Sequence, residues 1–536
     1  MAGEKEYKVI TKKGIDIAEI EAELERDTTS DAAVSANVPN RTVDVAYAKK
    51  ANDRITHYMM TDAEAAELSK DPRIHAVETK PDPEFFKHEP FETQTAQFDR
   101  STSNEADAKN WGLYRHMIKE FDPASTSNTY SADYTYTLDG TGVDVVIQDD
   151  GIDPTGHPEW EDANGTTRFQ QIDWYTESGV AGAMPAGHYT ANPAGAGEHG
   201  SHCAGIAAGK TFGWAKNAKI YSLRHYGGAG NEISDTDKYD LIRHWHTQKP
   251  IDPNTGFKRP TIVNQSWGWR ASFSSTLQVT HIFFKGVDQG IAQQDLMGGG
   301  LEQYGIVYYK IPYQSASDDV EQEQLTDSGV ICVKSAGNGY HPIAGANAPY
   351  YSGIHDSFMR YIGDGGVDYY YNRPGSPHSD DTIYVASLDR TLFGTEEFIT
   401  QSSERGPRID IITGGDDITS ATSTVSTYPK QFYPGSGSHY TSRISGTSMA
   451  APQITGMGAL WLQANPGGTA QQFKDFLAIH ATSNSYDSGT DESFNEDNVI
   501  PRRYGAPNRI AYWPYNSPNP WGWNGSSGSG TAGINT

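Results

Sequence analysis

Cysteine is all but missing from this sequence. Two residues, Cys203 and Cys332, occur in 536, so no disulfide framework holds the chain together and its stability must come from buried apolar surface. One lies in a helical run and the other in an apolar strand-like run. They read as two buried, unbridged thiols, although a single bridge between them stays geometrically open. Basic residues are scarce as well: 42 Lys and Arg face 68 Asp and Glu, a formal charge of −26. The average field repels phosphate, which argues against nucleic acid and anionic membrane as partners. There is no run of about 18 apolar residues for a membrane helix. The opening MAGEKEYKVI has no apolar core of signal-peptide length. The chain thus reads as soluble with no visible export signal, which leaves secretion by another route, residence in a cell and packaging in a virion all open.

The length allows one large domain and a smaller one. Residues 1–80 carry their own pattern. YKVI (7–10) reads as a strand, Ile15 to Arg26 as an acidic amphipathic helix, and Thr42 to Ala48 and Ile55 to Met60 as strands. Thr61 followed three positions later by Glu64 has the form of a capping box opening a second helix, and Ile74 to Val77 reads as a last strand. That order describes a small split α/β sandwich. Residues 81–110 shift to Pro, Glu, Thr, Ser and Asn and read as a linker. From 111 to 515, apolar runs alternate with helical ones: VDVVIQ (143–148), KIYSL (219–223), TIVNQSW (261–267), GVICVKSA (329–336), TIYVASL (382–388) and RIDIIT (408–413). This alternation predicts an α/β domain with a mostly parallel sheet covered by helices on both faces. Residues 516–536 read as a surface tail.

Polar motifs follow these strands or open the helices, which is where open α/β sheets bind their ligands. Asp149-Asp150-Gly151 ends the first strand. His199-Gly200-Ser201-His202 opens the apolar helical run Cys203 to Ala208. Ser335-Ala336-Gly337-Asn338 ends a later strand. Gly446-Thr447-Ser448 precedes an apolar helix from Ala450 to Leu462. A serine hydroxyl becomes a nucleophile when a base takes its proton, and the base needs a carboxylate to fix its tautomer. An asparagine amide can donate to the oxyanion that forms. Read singly, Ser448 is also a helix cap and Asn338 a turn residue.

Together, in the order Asp149, His199, Asn338, Ser448, these strings resemble the subtilisin-like serine proteases. DDGID with His157-Pro158-Glu159 resembles the aspartate motif, HGSHCAG (199–205) the histidine motif and GTSMAAP (446–452) the serine motif. The resemblance covers most of 111–513 and implies a serine endopeptidase acting on protein or peptide through Asp149, His199 and Ser448, with Asn338 at the oxyanion. Asp150 is expected at the cleft edge. Cys203 and the short stretch AGKTFGWAKNA (208–218) are closest to the proteinase K type, in which one calcium loop of subtilisins is missing. No cofactor is required. A structural calcium is allowed, with Asp389 as its candidate ligand. By the same resemblance, Gly228-Ala229-Gly230 and Ser266-Trp267-Gly268 are the two edges against which substrate lies as an added strand. Trp269, where the family has glycine, and the long segment 270–328 depart from the pattern and predict an altered rim. Residues 58–78 resemble the inhibitory pro-segment of these proteases, which is cut from the enzyme in the following linker, here between Glu78 and Lys109. A second reading makes the chain a latent or structural component of a larger assembly, built on this scaffold with the pro-segment retained.

Overall fold

The computed structural model describes residues 3–26, 35–48, 51–79, 86–90, 110–117, 119, 136–180, 197–226, 234–273, 278–290, 294–295, 301–304, 306, 310–345, 357–361, 367–487 and 503–516. Its first unit follows the predicted order: β1 (Glu4–Thr11), α1 (Ala18–Leu24), β2 (Asp44–Tyr47), β3 (Ile55–Thr61), α2 (Asp62–Leu68) and β4 (Ile74–Thr79). The four strands pair antiparallel in the order β2-β3-β1-β4. The alternation in β1 gives the sheet two apolar faces. Val9 joins Ile20, Leu24, Tyr58 and Leu68 in the unit's own core, while Ile10 and Ile55 pack on Val320 of the larger unit. Thr61 forms the expected capping box with Glu64. Helix α1 is shorter than the predicted Ile15 to Arg26, because Ile17 and Glu25 already cap its ends.

The large unit is built on seven parallel strands: β6 (Asp144–Asp149), β7 (Phe169–Gln170), β8 (Lys219–Arg224), β9 (Thr261–Gln265), β12 (Ile331–Ser335), β13 (Ile383–Leu388) and β14 (Ile411–Gly414), the labels β5, β10 and β11 being kept for three strands outside this sheet. Their order across the sheet is β14-β13-β12-β9-β6-β8-β7. Both faces are covered, as apolar runs of this kind require. Val145 and Ile147 face Ile206 of α3 (Glu198–Ala208) and Ile454 of α6 (Thr447–Ala464). Val146 faces the opposite side, in a second core with Tyr239 and Ile242 of α4 (Asp235–Gln248) and Leu325 of α5 (Ala316–Asp327). Strand β6 lies between β8 and β9, where successive connections leave in opposite directions, and such a switch point opens a crevice at the carboxyl ends of the strands. Cys203 and Cys332 are buried on opposite faces and neither is in a disulfide.

Several features depart from the linear reading. The run TIVNQSW is not one strand: it leaves the parallel sheet after Gln265 and continues as β10 (Trp267–Ser272) in a separate antiparallel sheet. There β10 lies between β11 (Lys310–Pro312) and β5 (Phe86–Pro90), so part of the predicted linker is a strand. Strands 278–284, 287–288 and 294–295 of the long insertion join 358–361 and 369–370, from beyond it, in a further sheet with a core around Val279, Ile282 and Met359. Trp269, predicted to stand at the rim, is buried beside Tyr313. Residues 517–536, most of the predicted tail, lie outside the described residues. Among the described residues, no helix is long and apolar enough to cross a membrane.

Candidate active site

Asp149 is the last residue of β6 and is fully buried. One of its oxygens, Oδ1, accepts from the Asp150 amide at 2.8 Å, from Tyr226 OH at 2.6 Å and from His199 Nδ1 at 2.7 Å. A carboxylate held by three donors is fixed in orientation, and its bond to Nδ1 sets the imidazole tautomer in which Nε2 carries the lone pair. Burial, with the Asp149 charge beside it, pushes the Tyr226 hydroxyl well above its ordinary pKa, so it stays a donor.

His199 is the second residue of α3. This helix has no side-chain cap of its own, because its N-cap is Gly197 at φ 78°. The cap comes from across the cleft: Asp150 accepts from the amides of His199 at 3.2 Å and Gly200 at 2.7 Å. The approach is close enough that a Cβ on Gly200 would run into the Gly151 carbonyl, so only glycine lets the helix start abut the aspartate loop. Burial and the neighbouring Asp149 raise the Asp150 carboxyl to about 7. The expectation of a cleft-edge residue is thereby sharpened to a helix-capping one.

Ser448 is the second residue of α6, and Thr447 does not cap this helix. The N-cap is Gly446 at φ 147°, a conformation that side chains avoid. The Ser448 hydroxyl donates to the Ser266 carbonyl at 2.8 Å, and the Ser266 hydroxyl donates back to the Ser448 carbonyl at 2.9 Å. Pro452 explains why that carbonyl is available. It stands four residues on and has no N–H to supply the helical bond, and Cys203 Sγ, 3.4 Å away, is the carbonyl's second partner. The proline of GTSMAAP was the sequence signal for this arrangement.

Asn338 follows β12. Its Oδ1 accepts from the Thr447 amide at 3.1 Å and the Thr447 hydroxyl at 2.9 Å, and that hydroxyl in turn accepts from Gly337 N at 3.1 Å. Nδ2 is buried and has no hydrogen-bond partner among the described residues. A buried amide donor is thus left open on the side chain that holds Thr447, the neighbour of Ser448.

Of the predicted substrate edges, Gly228, Ala229 and Gly230 lie outside the described residues. Ser266, Trp267 and Gly268, the other predicted edge, lie at the start of β10. Ser266 is bonded to Ser448 as above, Trp267 stacks on His225 with ring centroids 3.9 Å apart, and the backbone from Trp267 pairs with β5. The register sets Trp267 opposite Pro90 and Gly268 opposite Glu89. An extended stretch of the chain's own backbone therefore lies along the edge that leads to Ser448.

One group of side chains among the described residues, Asp149, His199 and Cys203, brings potential metal-ligand atoms within 4.8 Å of one another. Asp149 and His199 are already bonded to each other through Nδ1, a geometry for holding a proton. Asp389, the candidate calcium ligand, turns its carboxylate onto Thr391 N at 2.8 Å and Oγ1 at 2.6 Å, as a turn former does.

Comparison with known proteins gives a coherent result. A family model described as the subtilase family matches residues 140–506. The extracellular serine proteinase of Thermus sp. (strain Rt41A) is 25% identical over 357 residues, which span 66% of this chain and 58% of that protein. A cuticle-degrading serine protease of Arthrobotrys oligospora is 23% identical over 429 residues, spanning 77% of this chain and 70% of the relative. The crystal structure of fervidolysin from Fervidobacterium pennivorans, a keratinolytic enzyme related to subtilisin, aligns over 95% of this chain and 60% of its own, with a TM-score of 0.50 at 17% identity. At that identity the likeness is one of fold.

Proposed function

The chain belongs to the subtilase family, and on that premise we propose that it is a serine endopeptidase made as a self-inhibited precursor. The observation that carries the reading is the peptide strand β5 laid antiparallel along β10, next to the serine that exchanges hydrogen bonds with Ser266. A substrate peptide takes the same place by adding a strand to that edge. The Ser448 hydroxyl, which rests on the Ser266 carbonyl, turns to give its proton to His199 Nε2, and its oxygen attacks the peptide carbonyl. Asp149 keeps its negative charge and stabilises the imidazolium. Asn338 Nδ2 and the Ser448 amide donate to the oxyanion. His199 then protonates the leaving amine, and a water molecule activated by the same imidazole hydrolyses the acyl-enzyme. Every proton in the cycle passes through side chains of the chain, so no cofactor is required.

Residues 1–80 act as the inhibitor. They are seated on α4 and α5: Glu78 accepts from the amides of Ala316 and Ser317 at 3.1 Å each, at the start of α5, where an anion is favoured. Arg54 pairs with Glu323 at 2.8 Å, Lys8 bonds Ser317 at 3.0 Å, and Tyr47 reaches Asp237 at 2.9 Å. The register sets Pro90 opposite Trp267, next to Ser266, and this supports self-cleavage close to Pro90, within the span from Glu78 to Lys109.

Purified full-length chain and its Ser448→Ala variant test the reading. The wild type is expected to react with a fluorophosphonate, to hydrolyse members of a peptide library and to yield a new N-terminus close to Pro90 by mass spectrometry. The variant is expected to stay intact. A folded wild-type chain that neither reacts with the probe nor cuts any peptide would return the protein to the alternative of a latent component of a larger assembly.

A further inference from the structure

Behind the turn that carries Asn338 lies a group of buried charges that the reaction described above does not use. Arg270, on β10, places a guanidinium nitrogen 2.9 Å from Glu404, and the two side chains are 3% and 2% exposed. The Glu404 carboxylate lies flat against the turn: a Cβ on Gly337 would meet its carboxyl carbon at 2.6 Å. On the far side of Asn338, a Cβ on Gly339 would meet Arg270 Nη1 at 2.5 Å. The Glu404 amide donates to the Gly337 carbonyl at 2.7 Å; burial pushes the Glu404 carboxyl up to about 7, against the opposing pull of Arg270, Lys334 and the Gly339 amide. Lys334, at the end of β12, donates from Nζ to the Trp267 carbonyl at 3.1 Å.

These contacts form a clamp. Thr447 holds the side-chain oxygen of Asn338, while Glu404 and Arg270 hold the backbone on either side of it. A buried ion pair is a poor device for stability, since well-packed apolar groups of the same volume serve as well or better. What charged, hydrogen-bonded groups supply is direction, and here they supply it at two glycines that have no side chain to pack. Gly337 sits at φ +117°, so the turn cannot be fixed by filling its Cβ position. Arg270 also belongs to the strand whose backbone pairs with the extended segment 86–90, standing opposite Lys87 in the register. The strand that receives a peptide and the turn that carries the amide donor are therefore joined by one ion pair.

We propose that Glu404, held by Arg270, is a positioning residue for Asn338: it sets the turn 337–339 relative to β10, so that Nδ2 meets the oxyanion of a peptide lying on that strand. The proposal rests on the peptidase reading of the site. Glu404 touches no reacting atom and acts through the turn.

The test uses Glu404→Gln, which keeps the side chain's shape and its acceptor oxygen but removes the charge facing Arg270. In the processed enzyme, kcat for a chromogenic peptide is expected to fall about tenfold while KM changes less than about twofold, because the amide contacts the transition state and not the bound peptide. In an Asn338→Ala background the same substitution is expected to cost less than about twofold, since the donor it positions is gone. An equal loss in both backgrounds overturns the proposal. A second measurement needs no activity: hydrogen exchange of the full chain carrying Ser448→Ala. Glu404→Gln, and separately Arg270→Lys, are expected to speed exchange in the peptide spanning 335–341 while leaving β9 and β13 unchanged. Unchanged exchange at 335–341, or a rise spread over all strands, assigns the pair to general stability and overturns the proposal. If the wild type hydrolyses no peptide, the functional reading fails, and the exchange arm still decides whether the pair holds the turn.

Discussion

Replacing Asn338 by alanine separates what this side chain does for the reaction from what it does for the turn. Its Oδ1 accepts two bonds from Thr447, at 3.1 and 2.9 Å, and its buried Nδ2 has no partner among the described residues. A buried donor without a partner costs about 1–3 kcal/mol, and this cost is relieved when an oxyanion forms in front of it. Alanine removes that orphan but leaves both the amide and the hydroxyl of Thr447 without their acceptor. The relief offsets only one of the two losses, so a net destabilisation of about 1–2 kcal/mol is expected. The effect on rate is not offset. Loss of one preorganised oxyanion donor costs about 3–4 kcal/mol, or roughly 10²–10³ in kcat, with little change in KM. Thr447→Val makes the complementary cut. It keeps the Thr447 amide on Oδ1 but removes the hydroxyl that also receives Gly337 N at 3.1 Å, so it is expected to lose about tenfold in kcat and about 1–2 kcal/mol in stability. Steady-state hydrolysis of a peptide anilide and thermal unfolding of the same samples measure both quantities. If Asn338→Ala keeps more than about a tenth of the wild-type kcat, the amide does not meet the oxyanion and its assigned role is wrong.

Three further outcomes are expected. Gly205→Ala, on the helix that carries His199, drives a methyl group into Ser420 Oγ and to 3.1 Å from the Ala421 amide; the hydroxyl can turn away but the backbone cannot, so a loss of about 1–3 kcal/mol and a lower specific activity should appear together in melting curves and assays. His202 is buried and its imidazole is pushed down to about 3, with Nε2 3.1 Å from the Ser442 carbonyl. A histidine whose folded pKa lies below its unfolded value of about 6.5 favours folding fully above that value and loses this contribution as pH falls towards 3. Urea titrations from pH 7 to pH 4 should therefore show a shallower decline in stability for His202→Gln than for the wild type. Glu78→Ala removes the carboxylate from the start of α5, a loss of about 1–2 kcal/mol from the grip of the first unit; full-length chain carrying it should reach full activity sooner in a time course, and an unchanged lag would place the inhibitory contact elsewhere.

The placement of the candidate residues was legible in the sequence because each sits in a short string at a strand end or helix start. Asp149 closes β6, His199 opens α3, Asn338 follows β12 and Ser448 opens α6, and the fold brings Asp149 onto His199 and Asn338 onto Thr447. What escaped was set by partners far away in sequence. Phe86–Pro90 has a linker's composition, and its strand conformation comes from the edge of β10, which no local pattern announces. The run Thr261–Trp267 reads as one strand because its apolar pattern is continuous, yet it breaks at Ser266, whose carbonyl and hydroxyl are both turned towards Ser448. RIDIIT enters the sheet only at Ile411, because Arg408 is drawn aside to the carbonyls of Ser379 and Thr382 and to Asp410. The capping role of Asp150 was not legible because the residue before α3 is Gly197, which offers no capping side chain, and the cap comes from a loop about fifty residues earlier.

The break at Ser266 and the proline in α6 are two halves of one device. A continuous strand would have spent the Ser266 carbonyl on the sheet, and a regular helix would have spent the Ser448 carbonyl on residue 452. Because β9 stops at Gln265 and residue 452 is Pro, both carbonyls are left for each other's hydroxyls. That reciprocal pair fixes the start of α6 against the edge of β10, so in the proposed mechanism the position of Ser448 and the position of an added strand are set by the same two residues. Arg270 and Glu404 extend the connection from this edge to the turn of Asn338. A change on β10 should therefore be felt at both the hydroxyl and the amide, whereas a change confined to the first unit should alter only how long the edge stays occupied.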